Sequence, residues 1–175
     1  MPIDTFENGE TLAQVRAKLN AAIDEVNRAP IAARFAIADN ATPTPFASQG
    51  AFVKVVGANA AAMADAGLVV SDGRIAYTGP GVRRFVVTVL STATGAVNNQ
   101  IAMRIAKNGV TCPLCTIPAT MPTSGRPTPL PSQGYFSLED GDYVEPWIAN
   151  KSGTASVTIT DLSMLAVEIK TPNGV

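Results

Sequence analysis

The sequence contains no histidine. That excludes Ser-His and Cys-His nucleophile pairs and any metal centre built on imidazole. Cysteine is almost missing as well, with Cys112 and Cys115 alone. Two thiols with no histidine and no further cysteine fall short of a Cys/His zinc site within one chain, and a metal shared between symmetry-related copies is the remaining alternative. Charge is scarce: 15% of residues are charged and the net charge is −1. No basic tract or stripe gives a nucleic-acid footprint, and Arg83-Arg84 is too short to be one. No apolar run approaches the roughly 18 residues a membrane-spanning helix needs. The opening MPIDTFENGE lacks a charged leader followed by an apolar stretch. The expectation is a soluble protein made in a cytoplasm, with neither nucleic acid nor membrane as partner.

What is present favours strands. Hydrophobic residues make up 46%, enough to bury a core, and 14 glycines and 13 prolines fall between short apolar runs. Frequent turn signals between short runs read as an all-β body. A chain of 175 residues accommodates one domain and an appendage.

After a polar lead-in over residues 1–10, Thr11 and Gln14 have the spacing of a capping box. Leu12, Val15, Leu19, Ala22 and Val26 then recur every three or four residues, with Ile23 widening the stripe. This predicts an amphipathic helix of about four turns, ended before Pro30. It can lie on its own domain or form a short parallel coiled coil in an oligomer.

Residues 31–50 read as a Pro-stiffened linker with a candidate first strand at 33–38, and residues 51–56 as a strand. Residues 57–67 fit one helical turn or a loop. Strands are predicted at 68–70, 74–78, 84–91, 100–107, 135–138, 142–149, 157–159 and 165–170. The 84–91 run is apolar on both faces and is placed centrally, covered on both sides. In 100–107 Ile101, Met103 and Ile105 face in, a half-buried strand. Lys107-Asn108-Gly109-Val110 suits a tight hairpin. Pro146 implies an edge or a bulge. In the last strand Leu165, Val167 and Ile169 are expected to point in, and Ala166, Glu168 and Lys170 out. Residues 111–133, rich in proline, read as a long surface loop, and 171–175 as a frayed tail.

Few residues invite chemistry. Cys112-Pro113-Leu114-Cys115 has redox or zinc spacing, but prolines oppose the helix a thioredoxin-type site needs. Two inert thiols or a local disulfide is the preferred reading. Glu139, Asp140, Asp142 and Glu145 form an acidic cluster that fits a solvated turn. A weak calcium site or a glycosidase carboxylate pair is the sharper alternative. Tyr143 and Trp147 share a strand face and suit either core packing or stacking on a sugar or partner. No cofactor or metal is expected.

Several phrases taken together resemble the small jelly-roll domains of phage virion proteins, which are similar in fold to the tumour-necrosis-factor and complement globular-head family. They are GRIAYTG at 73–79, FVVTVL at 85–90, NNQI at 98–101 and RIAKNG at 104–109. LEDGDYVEPWIAN at 138–150 and VTI at 157–159 complete the set. The leader over 9–27 resembles the lead-in of phage fibre and structural proteins. The Pro-rich segment with Cys112 and Cys115 departs from the pattern. The resemblance implies an all-β antiparallel jelly-roll sandwich with a short N-terminal helix, assembled as a homotrimer through an apolar sheet face, and no catalytic site. It divides the chain into an anchoring and trimerising arm (1–30), a linker (31–50) and the jelly roll (51–171). It implies a virion protein, a capsid decoration or cement protein bound to the major capsid protein or another virion protein. The alternatives are a fibre or spike head that binds a host surface glycan and, last, a small carbohydrate-active enzyme. Leu12, Val15, Leu19, Ala22, Ile23 and Val26 are the candidate anchor, and Tyr143 and Trp147 the candidate binding surface.

Overall fold

The structure, a computed structural model, describes residues 9–57 and 60–170, apart from the Val26 side chain. The expected lead-in over 1–8 and tail over 171–175 lie outside the described residues. The chain divides into two compact units, one holding the helix and the other running Ile31–Lys170.

The helix α1 spans Leu12–Asn27. Thr11 caps it as the spacing predicts: its Oγ1 accepts from the Gln14 N–H at 3.3 Å, and Gln14 Oε1 accepts from the Thr11 N–H at 2.8 Å. Two orphan donors of the first turn are thereby satisfied. Arg28 turns extended ahead of Pro30, where the proline ring disfavours helical backbone.

The second unit is a sandwich of two antiparallel sheets. Its strands are β1 (Ala32–Ile37), β2 (Val53–Lys54), β3 (Ala61–Ala64), β4 (Leu68–Ser71), β5 (Arg74–Tyr77), β6 (Arg83–Gly95) and β7 (Gln100–Lys107). They continue with β8 (Val110–Thr111), β9 (Ile117–Thr120), β10 (Thr128–Pro129), β11 (Ser132–Leu138), β12 (Tyr143–Asn150) and β13 (Val157–Glu168). The first sheet runs β10-β6-β13-β1-β3, with β11 also on β6. The second runs β4-β5-β12-β7-β8, with β2 also on β12 and β9 on β7. Phe35, Phe85, Val87 and Met164 of the first sheet join Ile75, Tyr77, Met103, Ile105 and Ile148 of the second in one buried core. Each such side chain contributes about 1.5–3 kcal/mol by leaving water. Asn108 and Gly109, at φ 51° and 77°, form the expected hairpin turn between β7 and β8.

Several expectations are corrected. Residues 31–50 belong to the sandwich: β1 pairs with β13 on one side and β3 on the other. Thr44 is buried and exchanges backbone hydrogen bonds with Val157. Of residues 51–56, only Val53 and Lys54 join the ladder, against Ile148 and Trp147. The described part of 57–67 holds an edge strand, β3, because its small side chains let it lie flat along β1. Asp65 closes it by accepting the Ala32 N–H at 2.8 Å.

The inward set of β13 is the reverse of the expected one. Val157 and Ile159 face in, then two residues of β13 oppose one of β6 between Ile159 and Asp161. This bulge at Thr160 switches the inward parity, so Leu162, Met164, Ala166 and Glu168 are buried while Leu165 and Val167 are exposed. Pro146 lies on a central strand, neither at an edge nor at a bulge. On that side β12 pairs with β5 at Tyr143 and Val144 and with β2 at Trp147 and Ile148. Pro146 falls in the gap between these short partners, so its missing N–H costs no ladder bond.

β7 is covered more fully than expected, with Ala102 and Ala106 as buried as Ile101. The Pro-rich segment is not a free loop. It carries a 3₁₀ turn at Pro113–Cys115 and the strands β9 and β10, and sends Cys115, Met121 and Leu130 into the core.

Candidate functional site

The sandwich has two outer faces of opposite chemistry. On the first sheet the outward residues form cross-strand rows. One row is Tyr135, Val86, Val167 and Ala32, and the next is Gln133, Thr88, Leu165, Arg34 and Met63. A third is Leu90, Ser163, Ala36 and Ala61. Tyr135 is 77% exposed, Met63 66%, Leu90 60% and Leu165 39%. β6 is central, as expected, but among the described residues of the Ile31–Lys170 unit only its inner side is covered. An open groove of about 700 Å³ crosses this face between Arg34, Met63, Asp65 and Leu165. Contiguous apolar exposure of this kind marks an interaction surface.

The outer face of the second sheet bears rings and cations. Trp147 stands directly across from Lys54 on one side and Arg104 on the other. Glu145, 4% exposed, accepts from Trp147 Nε1 at 2.9 Å and lies 3.1 Å from Lys54 Nζ. The Arg74 guanidinium sits 4.8 Å from the Tyr143 ring centre. Arg104 and Lys151 sit 4.3 and 4.8 Å from that of Phe52. Such contacts hold a cation and a ring in fixed relation. Tyr143 and Trp147 therefore belong to this outer face and not to the core.

The acidic cluster is dispersed. Asp142 binds the turn: it accepts from the Glu139 N–H at 2.8 Å and from Asn108 Nδ2 at 2.6 Å, and meets Lys107 Nζ at 2.6 Å. Asn108 Oδ1 in turn accepts the Tyr143 N–H at 3.0 Å. These donors, the Glu139 N–H first, bring the Asp142 carboxyl down to about 2. Glu139 and Asp140 are solvent-exposed. Among the described residues no three His, Cys, Asp or Glu side chains converge as metal ligands would.

Cys112 and Cys115 are free thiols. Cys115 is buried, and that burial first, then Cys112 beside it, pushes its thiol up to about 12. It has no thiolate character at neutral pH, the opposite of what a redox nucleophile needs.

No family model matches the sequence, and no curated protein does. Solved structures do. Murine APRIL at pH 5.0 is similar over 81% of this chain and 100% of its own, at 13% identity and a TM-score of 0.55. The Eiger TNF of S. frugiperda matches over 84% of this chain and 97% of its own, at 13% identity and 0.50. PRD1 vertex protein P5 matches over 80% and 97%, at 12% identity and 0.50. The sandwich is a TNF-like jelly roll.

Within this TNF-like fold, sequence reasoning found Tyr143, Trp147 and Glu145 but not their company. Phe52, Lys54, Arg74 and Arg104 come from three other parts of the chain, and no local spacing announces them. The apolar outer face was missed because the bulge at Thr160 carries no sequence signal. Leu12, Leu19 and Ile23 are exposed on α1, Val15 is half-buried and Ala22 exposed; the Val26 side chain lies outside the described residues. Among the described residues no helix is long and apolar enough to cross a membrane.

Proposed function

We propose that this chain is a non-enzymatic structural protein of a phage virion, a homotrimeric decoration or cement protein on the capsid surface. The observation that carries the reading is the exposed apolar face of the first sheet, with Tyr135, Leu90, Leu165 and Met63 spread across it from edge to edge. A lone domain gains nothing from displaying such a face, whereas a second and third copy packed on it bury it. The family this sandwich resembles packs its subunits around a three-fold axis through an apolar sheet face. A vertex protein, PRD1 P5, is among the structures of the same fold. The carboxylates a hydrolase would need support the same reading, since Asp142 is committed to a turn and Glu145 to Lys54 and Trp147. In this reading α1, with Leu12, Val15, Leu19, Ala22, Ile23 and Val26, anchors the trimer to the major capsid protein or another virion protein.

Mass measurement in solution tests the assembly: a trimer is expected, and a clean monomer at micromolar concentration sinks the reading. Removing residues 1–28 should leave the Ile31–Lys170 unit folded and abolish attachment to capsids. Attachment that survives the deletion refutes the anchor.

A further inference from the structure

We infer that the outer face of the second sheet binds an acidic oligosaccharide, one bearing carboxylate or sulfate groups. This does not rest on the virion reading. The first observation is charge. Around Trp147 the face carries Arg74, Lys54, Arg104 and Lys151 against one acid, Glu145, in a chain whose net charge is −1.

The second is unspent hydrogen-bonding capacity. Arg74 contacts the Tyr143 ring, and its guanidinium donates to no acceptor among the described residues. Arg104 uses Nε on Thr116 Oγ1 at 2.5 Å, and its terminal nitrogens likewise have no acceptor among those residues. A guanidinium offers five donors in a fork that matches a carboxylate or sulfate. Two such forks stand with their positions already set by ring contacts, so little side-chain freedom is lost on binding.

The third is spacing. Tyr143 and Trp147 lie four residues apart on β12, about 13 Å at strand rise. Arg74 accompanies the first and Arg104 the second. That span exceeds one sugar ring and suits a short chain whose C–H faces lie on the rings while its acidic groups reach the arginines. Glu145 fixes the indole edge through Nε1.

An acidic protein patch is the competing occupant. The centre of a protein interface is depleted in charge. Here the centre is Lys54, Glu145 and Arg104, and the large side chains are rings and cations instead of aliphatics. A hydrated, ring-shaped, anionic ligand fits that composition better.

The test is calorimetric titration of the full chain with a sulfated hexasaccharide, an oligogalacturonate, neutral maltohexaose and inorganic polyphosphate. Binding of one acidic sugar, with maltohexaose at least tenfold weaker, is expected. Arg74→Gln and Arg104→Gln should each weaken binding about tenfold, with unchanged melting. Arg34→Gln, on the other sheet, should leave it unchanged. Trp147→Phe retains a ring and should weaken binding less than Trp147→Ala. Failure of both acidic sugars to bind the folded protein at millimolar concentration overturns the inference. So does polyphosphate binding as tightly as the sugars, or an equal loss in Arg34→Gln. Capture of an acidic protein with no affinity for either sugar would replace the inference with the competing one.

Discussion

The sulfur of Cys115 occupies the space in which Gly134 would carry a side chain. A β-carbon built on Gly134 collides with that sulfur and comes within 2.9 Å of the Phe136 ring. Cys115 is buried on the 3₁₀ turn at Pro113–Cys115, and its carbonyl accepts a short hydrogen bond from Ser132 Oγ, two residues before Gly134. The thiol is therefore a packing group, joining the Pro-rich segment to β11.

Gly134→Ala should destabilise the β domain by about 1–3 kcal/mol through overpacking. Denaturant unfolding reads this directly. Cys115→Ala vacates the space, so the double variant should lose less than the sum of the two singles. Strict additivity would show that the two residues do not share that volume.

The two thiols should also differ in reactivity. Cys112 is half-buried, whereas Cys115 is buried with its thiol pushed up to about 12. Labelling at pH 8 should modify Cys112 alone in the native protein and both after denaturation. Equal rates in the native state would contradict the packing described for Cys115.

Asp142 should give the domain an acid-sensitive step. Its carboxyl ordinarily titrates near 3.8 and is held at about 2 in the fold. A depressed carboxyl stabilises the fold above its unfolded value, and that stability is lost as pH falls through the folded one. Asp142→Asn should cost about 1–2 kcal/mol at neutral pH. The gap between wild type and variant should close between about pH 4 and pH 2. A gap that stays constant over that window would show that charge on Asp142 is irrelevant.

Leu165→Arg places a cation in the middle row of the first sheet's outer face, beside Arg34. The fold should tolerate it, since Leu165 packs outward. The assembly should not, because like charge and lost apolar area fall on the proposed contact. Light scattering should report a monomer with an unchanged circular dichroism spectrum. A trimer of wild-type stability would move the contact elsewhere.

Much of the sandwich was legible because alternation and turn chemistry are local. Ile101, Met103 and Ile105 declared the core face of β7, Asn108-Gly109 declared its hairpin, and Thr11 with Gln14 declared the start of α1. Nonlocal decisions were not legible. Ala61–Ala64 has little intrinsic strand preference and becomes a strand because β1 offers an edge. Pro146 argues against a central strand until the gap between β5 and β2 is known. Cys115, Met121 and Leu130 look like loop residues because proline dominates their surroundings, yet their burial depends on contacts with distant strands. Of the cation-and-ring face, one strand could be read and the others could not, since Phe52, Arg74 and Arg104 meet there only after folding.

The bulge at Thr160 has a consequence for how this protein can vary. Before it, odd-numbered residues of β13 lie inside; after it, even-numbered ones do. Losing Thr160 while preserving the β6 register would leave Asp161 opposite Thr92 and Met164 opposite Val89, so alternation from Ile159 would become regular and Leu162, Met164 and Ala166 would stay inside. Keeping Thr160 but pairing it regularly would instead turn Leu165 and Val167 inward, together with Asp161 and Ser163, and push Met164 and Ala166 out. A single-codon deletion here would thus spare both the core and the outer face, whereas a one-residue slip would bury a carboxylate.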